Sequence, residues 1–433
     1  MPSKQTVWKS RANQYAKKLN AYLAKGEREG WENPGKPPGF RDDGSLAEAA
    51  LAAVRHANQN GSVAELRHRW PPMHHLLLPL IEAKAQDIPS LFALDDGGFV
   101  ARIGSPYHSG QVIQVDDDHV TVVQGIHHIG RSLNRRYFAV ADDSGVRVTE
   151  GWLGIEICHC PWPTGLEGVP NGAQVKPLTE APVPNALVPF ADGKRVLLAC
   201  EDGVFVLAPA GATRLLPRPE YIRELCEDSS EASISLDDSM THAALSPDGH
   251  WIAAGSQCQG HFIFNQNLQT VAHIGHMSEY PHHACFSSDS QTVILNSCHF
   301  YHGATIAVGA ADWIGLETPP YELSKKTRIV EEVSRVYAAL HRRGEFIIGN
   351  ANGYLRAFSE KGKLHWYHHV GSTVTAMDLS PDGHYLYAAS IAGWVVRIAL
   401  DTHNPAPHEI GSGQNTEERR WLFWKDQPNP LVW

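Results

Sequence analysis

An all-β, seven-bladed β-propeller with an N-terminal α-helical extension is the fold class this 433-residue sequence predicts. Three observations predict it. The segment His242 to Ser256 realigns on His283 to Ser297, a shift of 283 − 242 = 41 residues. A period of about 40 to 45 residues, with a short apolar strand on each side of a Ser-x-Asp turn, is the signature of a propeller blade. Seven hairpin units follow one another, with their clearest strand pairs at Leu91–Ile103, Tyr137–Val148, Val196–Leu207, Trp251–Phe264, Val293–Val308, Phe346–Phe358 and Tyr385–Ile398. Leu91 to Leu400 is 310 residues, and 310/7 is about 44 per unit, a blade's length. Before residue 91 the apolar pattern has a helical period instead.

The extension spans residues 1–88. Trp8, Tyr15 and Tyr22 recur every seven residues with Ala12 and Leu19 between them, so one helix face is apolar. Lys4, Lys9, Arg11, Lys17, Lys18 and Lys25 occupy the other. A Pro/Gly-rich break from Trp31 to Gly44 ends this helix. Ser45 with Glu48 has the spacing of a capping box for a second, and a third is predicted from Met73 to Ala85. Three short helices bury too little apolar surface to fold alone. Trp8, Tyr15, Leu19 and Tyr22 are therefore expected to bind a partner or clasp the propeller, with the acidic stretch Glu224–Asp238 as an internal neighbour for the lysines.

The propeller is assigned to residues 89–405, with a Pro-rich insertion at 158–189 lying over one face. A strand near Leu91–Leu94 is expected to close the ring by pairing with the last blade, since an open propeller exposes sheet edges. Residues 406–433 read as an aromatic tail. Its Trp421-Leu-Phe-Trp424 either packs back on the propeller or binds a partner.

Ser246-Pro-Asp-Gly-His-Trp-Ile-Ala-Ala-Gly and Ser380-Pro-Asp-Gly-His-Tyr-Leu-Tyr-Ala-Ala resemble the turn and second strand of WD-repeat and related propellers. Asn352-Gly-Tyr-Leu-Arg-Ala-Phe is similar to a quinoprotein-type repeat. The resemblance covers roughly residues 90 to 400, and the Gly-His and Trp-Asp dipeptides of strict WD repeats are missing. It implies a fold that hosts scaffolds, hydrolases, lyases and oxidoreductases alike. It also implies that each innermost strand lines the channel and starts at the same face as the turn joining the second and third strands.

On that topology His242 and His283 start innermost strands, and aligning Tyr137-Phe-Ala-Val-Ala on Trp251-Ile-Ala-Ala-Gly puts His128 at the same place. His261 and His302, with Cys258, Cys298 and His299, fall beside the second-to-third-strand turn. Imidazoles converging from separate blades can hold Zn, Cu or Fe. Carotenoid-cleaving oxygenases, metal enzymes built on propellers, carry axial histidines of this sort; three inner positions here, not four, depart from that pattern. The alternative is that they hydrogen-bond water and backbone in a polar tunnel.

Other signals are weaker. Cys158-His-Cys160 is a single Cys-x-Cys, read as an exposed loop. Asp116-Asp117-Asp118 reads as a hairpin turn, and Glu224–Asp238 as a mobile inter-blade loop or a dock for a basic partner. No Gly-x-Ser-x-Gly elbow or phosphate-binding Gly-rich loop occurs. The net charge of −10 argues against nucleic acid. With no leader-like apolar region, no run of about 18 apolar residues and seven scattered cysteines, the chain reads as cytoplasmic, reduced and off the membrane. The function expected is a non-catalytic scaffold for protein partners with no cofactor. The alternative is a metal-dependent enzyme, such as an oxidoreductase, with a histidine-lined site at the channel mouth.

Overall fold

Seven sheets of four or five strands succeed one another along the chain, each wound from its innermost strand outward: a seven-bladed β-propeller. Among the described residues all their pairings are antiparallel except that of Leu316–Thr318, a fifth strand added parallel to blade four. The computed structural model describes residues 2–31, 35–40, 43–108, 110–117, 119–427 and 429–433. Asp118 of the acidic triplet and part of the Trp31–Gly44 break lie outside the described residues. The innermost strands are Ser90–Ala93, His128–Arg131, Ala186–Pro189, His242–Leu245, Tyr280–Phe286, Val336–Arg342 and Val374–Leu379. Among the described residues no helix is long and apolar enough to cross a membrane.

The repeated turn has a physical cause. Ser246 Oγ donates to Asp248 Oδ1 at 2.6 Å and accepts from Trp251 N at 2.9 Å, while Asp248 Oδ1 also takes His250 N. Ser287–Asp289 and Ser380–Asp382 repeat these bonds, and Ser132–Asn134 substitutes an amide. Side chains thus satisfy the backbone donors that a tight turn leaves unpaired, which is why Ser-x-Asp recurs. Between blades the cores are apolar layers. Ala253, Ile263 and Ile274 of blade four meet Ala284, Phe286 and Leu295 of blade five.

The structure departs from expectation at five places. In unit one the hairpin Leu91–Ile103 is the first and second strand, with Leu91 opposite Ala101, whereas the other predicted pairs are second and third strands. The strand Ser90–Ala93 does not pair with blade seven. Blade seven takes its outer strand, Thr416–Leu422, from the segment expected as a tail, so Trp421 lies within a sheet. The ring is closed instead by side chains: Leu91, Phe99 and Ala101 of blade one pack with Tyr387, Val395 and Trp421 of blade seven, and a polar clamp adds to this apolar layer. Asp378 of blade seven accepts from Ala93 N at 2.7 Å and pairs with Arg131 of blade two at 2.8 Å. The chain after residue 405 is long enough to supply that fourth strand, so no exchange is needed. The 158–189 insertion shrinks to 161–185, because Ile155–Cys160 completes blade two and Ala186–Pro189 begins blade three. Finally, Glu224–Asp238 is not a loose loop. It starts in the helix Pro219–Asp228, and Ile222, Ile234 and Leu236 pack with Val169 and Val175 of the insertion.

The extension contains four helices: α1 Lys4–Glu29, α2 Gly44–Gln59, α3 Val63–Arg69 and α4 His74–Lys84. The α2 cap is Asp43, whose Oδ1 accepts from Leu46 N at 3.2 Å, rather than Ser45, which lies inside the helix. The apolar stripe of α1 faces inward as predicted. Trp8, Ala12, Ala16 and Leu19 are buried, with Tyr15 and Tyr22 packed beside them. They join one core with Val370, Val374 and Trp394 of blades six and seven, and with Trp424 and Trp433. Trp8 Nε1 donates to Pro71 O at 2.8 Å, and its ring stacks on Trp433 at 6.2 Å. The neighbour of this face is thus the last two blades, not Glu224–Asp238.

Candidate functional site

The start of each innermost strand, the end of the second and the start of the third are level with one another: His242 lies opposite Gly255, and Gly255 opposite His261. This end of the ring is the channel mouth. Gly255 is required there, because a Cβ would stand 2.7 Å from His242 Cε1. With that space open, His242 Nε2 meets His261 Nδ1 at 3.2 Å, and His242 Nδ1 lies 2.9 Å from Met240 O. A carbonyl only accepts, so His242 carries its proton on Nδ1 and its Nε2 accepts from His261 Nδ1–H. Burial holds both imidazoles neutral, His242 with a pKa pushed down to about 4 and His261 well below the ordinary value.

The 41-residue register holds for the inner pair and fails for the outer one. Gly255 opposite His242 corresponds to Asn296 opposite His283, since 296 − 255 = 41. The partner of Asn296 on the third strand is Thr305, so Thr305, not His302, is the counterpart of His261. The second hairpin of blade five, Thr292–His299 with His302–Gly309, runs past the mouth, and His302 is exposed near its tip. His283 faces His242 electrostatically, and burial pushes its pKa to about 3. His128 sits apart, with a pKa lowered to about 3 by burial and by the neighbouring Arg102. The five histidines therefore do not converge as one set. His242 has both nitrogens engaged, and among the described residues no group of three or more His, Cys, Asp or Glu is placed to hold a metal ion.

Sequence reasoning missed the residues with the most defined geometry. His282 is the extra residue of a β-bulge between Pro281 and His283. Its Nδ1 lies 2.6 Å from Val336 O, and its Nε2 accepts from Arg335 Nε at 3.0 Å and Nη2 at 2.9 Å. Asn296 bridges the same two blades, donating to Ser334 O and accepting from Val336 N. The doubled His282-His283 was the available signal, but a bulge is invisible to register and Arg335 belongs to another blade.

The Cys158–Cys160 pair lies on the outer strand of blade two, with its sulfurs 4.0 Å apart, rather than in a loop. Burial raises both thiols, Cys160 to about 12, so neither is a ready nucleophile. The expected partner-binding residues are elsewhere engaged: Trp8, Leu19, Trp421 and Trp424 are buried within the chain, and Tyr15 and Tyr22 line the same core.

Large aromatic side chains are among the residues left exposed at the mouth. Phe300 and Tyr301, at the tip of the long blade-five hairpin, are 71% and 61% exposed, and Tyr107, in the corresponding turn of blade one, is 66% exposed. Tyr321, also exposed, packs edge-on against His276. A cavity of about 250 Å³ opens between blade one and the insertion, lined by Tyr107, Thr179, Glu180, Val183, Glu201 and Asp202 among others. Over blades six and seven the mouth is covered. Gly371, in their connection, adopts φ +109° and lies so close to His74 of α4 that a Cβ would collide with it. Trp424 Nε1 donates to Ala392 O in the blade-seven turn at 2.9 Å.

No family model matches the chain, and no curated protein is similar to it in sequence. Among solved structures it is similar to hydrazine synthase of Kuenenia stuttgartiensis, at 13% identity over 73% of this chain and 96% of that chain, with a TM-score of 0.45. It is similar also to the WD40 propeller domain of Doa1, at 14% identity over 73% of this chain and 94% of that one, TM-score 0.45. A third is Sqt1 of Chaetomium thermophilum bound to the N-terminus of a ribosomal protein, at 14% identity over 72% and 84%, TM-score 0.41. The likeness is one of fold.

Proposed function

We propose that this protein is a non-catalytic interaction scaffold that binds a protein partner at the open sector of its channel mouth. One observation carries the reading. Phe300 and Tyr301 are presented on a hairpin that overshoots its blade, with Tyr107 and Tyr321 exposed on the same end of the ring. Among the described residues the Phe300 ring packs edge-on against the ring of His299 alone, so large aromatic side chains are left mostly in water at the tip of a two-stranded hairpin. Such residues are the ones that anchor interfaces. The imidazoles below them are neutral, mutually hydrogen-bonded and buried, which suits a pre-ordered floor better than acid–base work.

Affinity capture on the full chain tests this. Phe300→Ser with Tyr301→Ser should strip specific partners from the eluate while leaving the melting temperature within a degree or two, because both residues are exposed. Unchanged recovery would remove the hairpin from any interface. Elemental analysis separates the metal-dependent alternative, since a stoichiometric transition metal lost on His242→Ala would restore it.

A further inference from the structure

Arg335 stands at the start of blade six, and its guanidinium is held in one orientation by blade five. His282 Nδ1–H donates to the Val336 carbonyl at 2.6 Å, which leaves the lone pair on Nε2. That lone pair takes both Arg335 Nε–H, at 3.0 Å, and an Nη2–H, at 2.9 Å. The face of the guanidinium lies over the Tyr337 ring, 4.7 Å from its centre, and the Tyr337 ring in turn packs edge-on against His282 at 4.8 Å. Nη1 has only a long contact, 3.5 Å to the Phe300 carbonyl.

Every one of these partners is neutral. Among the described residues Arg335 forms no ion pair, and Glu279, a carboxylate of the same mouth, is engaged by His299. An arginine has five N–H donors in a fixed fork, so the Nη1 hydrogens and the second Nη2 hydrogen remain for something else. Tyr337 packs beneath the guanidinium. Burial raises the Tyr337 pKa against the pull of Arg335. An oriented, half-buried cation whose hydrogen-bonding and ring neighbours are neutral is the arrangement that recognises an oxyanion.

We propose that Arg335 anchors an oxyanion site at the channel mouth, taking a carboxylate or a phosphate group carried by the bound partner. The site rests on the interaction reading above and deepens it: the Phe300–Tyr301 hairpin supplies apolar contact, and Arg335 reads one charged group beside it. His282 is a positioning residue, since it holds the fork without touching the ligand.

The test uses free anions and the full chain labelled with nitrogen-15 histidine. Inorganic phosphate and acetate are titrated separately at constant ionic strength, and the imidazole signals of His282 are followed. The expected result is a saturable shift with at least one anion, lost in Arg335→Gln. Arg335→Lys should weaken it by about tenfold or more, because the charge survives and the fork does not. Whichever anion binds more tightly tells a phosphorylated partner group from a carboxylate. No saturable shift in the wild-type chain, or an undiminished one in a folded Arg335→Gln, overturns the site. Because no partner is present, that failure is separable from a failure of partner capture by the hairpin variant.

Discussion

The covered and open sectors of the mouth use the same propeller scaffold in opposite ways. Over blades six and seven, four helices and the C-terminal residues fill the end of the ring with tryptophan and histidine packed out of water. Over blades four and five the chain adds three residues to a hairpin and holds two aromatic side chains in solvent. The lesson is that aromatic content alone does not mark a binding surface. Trp8, Trp421 and Trp424 are as apolar as Phe300 and Tyr301, and what separates them is whether the chain itself has a surface to cover them.

The largest effect expected from breaking this contrast is on the covered side. Trp8 is fully buried against Trp70 and Trp433, so Trp8→Ala should cost about 3–5 kcal/mol in denaturant unfolding. Deleting residues 1–88 should do worse and give an aggregating propeller, since Val370, Trp394 and Trp424 would face water. A soluble deletion variant with an unchanged midpoint would show that the clasp is dispensable.

Glu417 comes next. It pairs with Arg420 at 2.7 Å and with Arg67 of α3 at 3.1 Å, and although burial opposes its charge, the two guanidiniums hold its pKa at about 2. Glu417→Gln leaves both cations without their carboxylate and should cost roughly 3–5 kcal/mol. Glu409, in the same cluster, is pushed up to about 7 by burial, although Ala406 N and Glu417 N donate to it.

A smaller, graded effect should follow pH. Burial lowers His74 to about 3 and His75, His368 and His408 to about 4, all around the clasp. Their folded pKa values lie below the unfolded value near 6.5, so the unfolded chain binds protons more readily. The stability they contribute is complete above pH 6.5 and declines as pH falls toward 4. The unfolding midpoint should therefore drop between pH 7 and 5, and less steeply in His408→Gln. The smallest effect belongs to the open side, where Phe300→Ser should change stability by no more than about 0.5 kcal/mol.

Much of the fold was legible in the sequence because the Ser-x-Asp turn is a local device: one hydroxyl and one carboxylate cap the same backbone donors in each blade where they occur. The inner-strand position of His242 and His283 followed from that register. What failed was non-local. A three-residue lengthening moved His302 out of register with His261, and a bulge turned His282 toward a blade whose Arg335 no periodicity could pair with it. The outer strand of blade seven was hidden because Thr416–Leu422 contains four consecutive charged residues, Glu417 to Arg420, that do not read as a strand. Glu417 and Arg420 are buried there only because α3 brings Arg67 to them.

On the function proposed above, partners dock on the open sector of the mouth. Site-specific photo-crosslinking tests it most directly, with a benzophenone side chain placed at Tyr301 and, separately, at Asn267 in an exposed turn at the opposite end of blade four. Discrete crosslinked adducts from position 301 and none from position 267 are predicted. Equal labelling from both, or adducts from position 267 alone, would contradict the account.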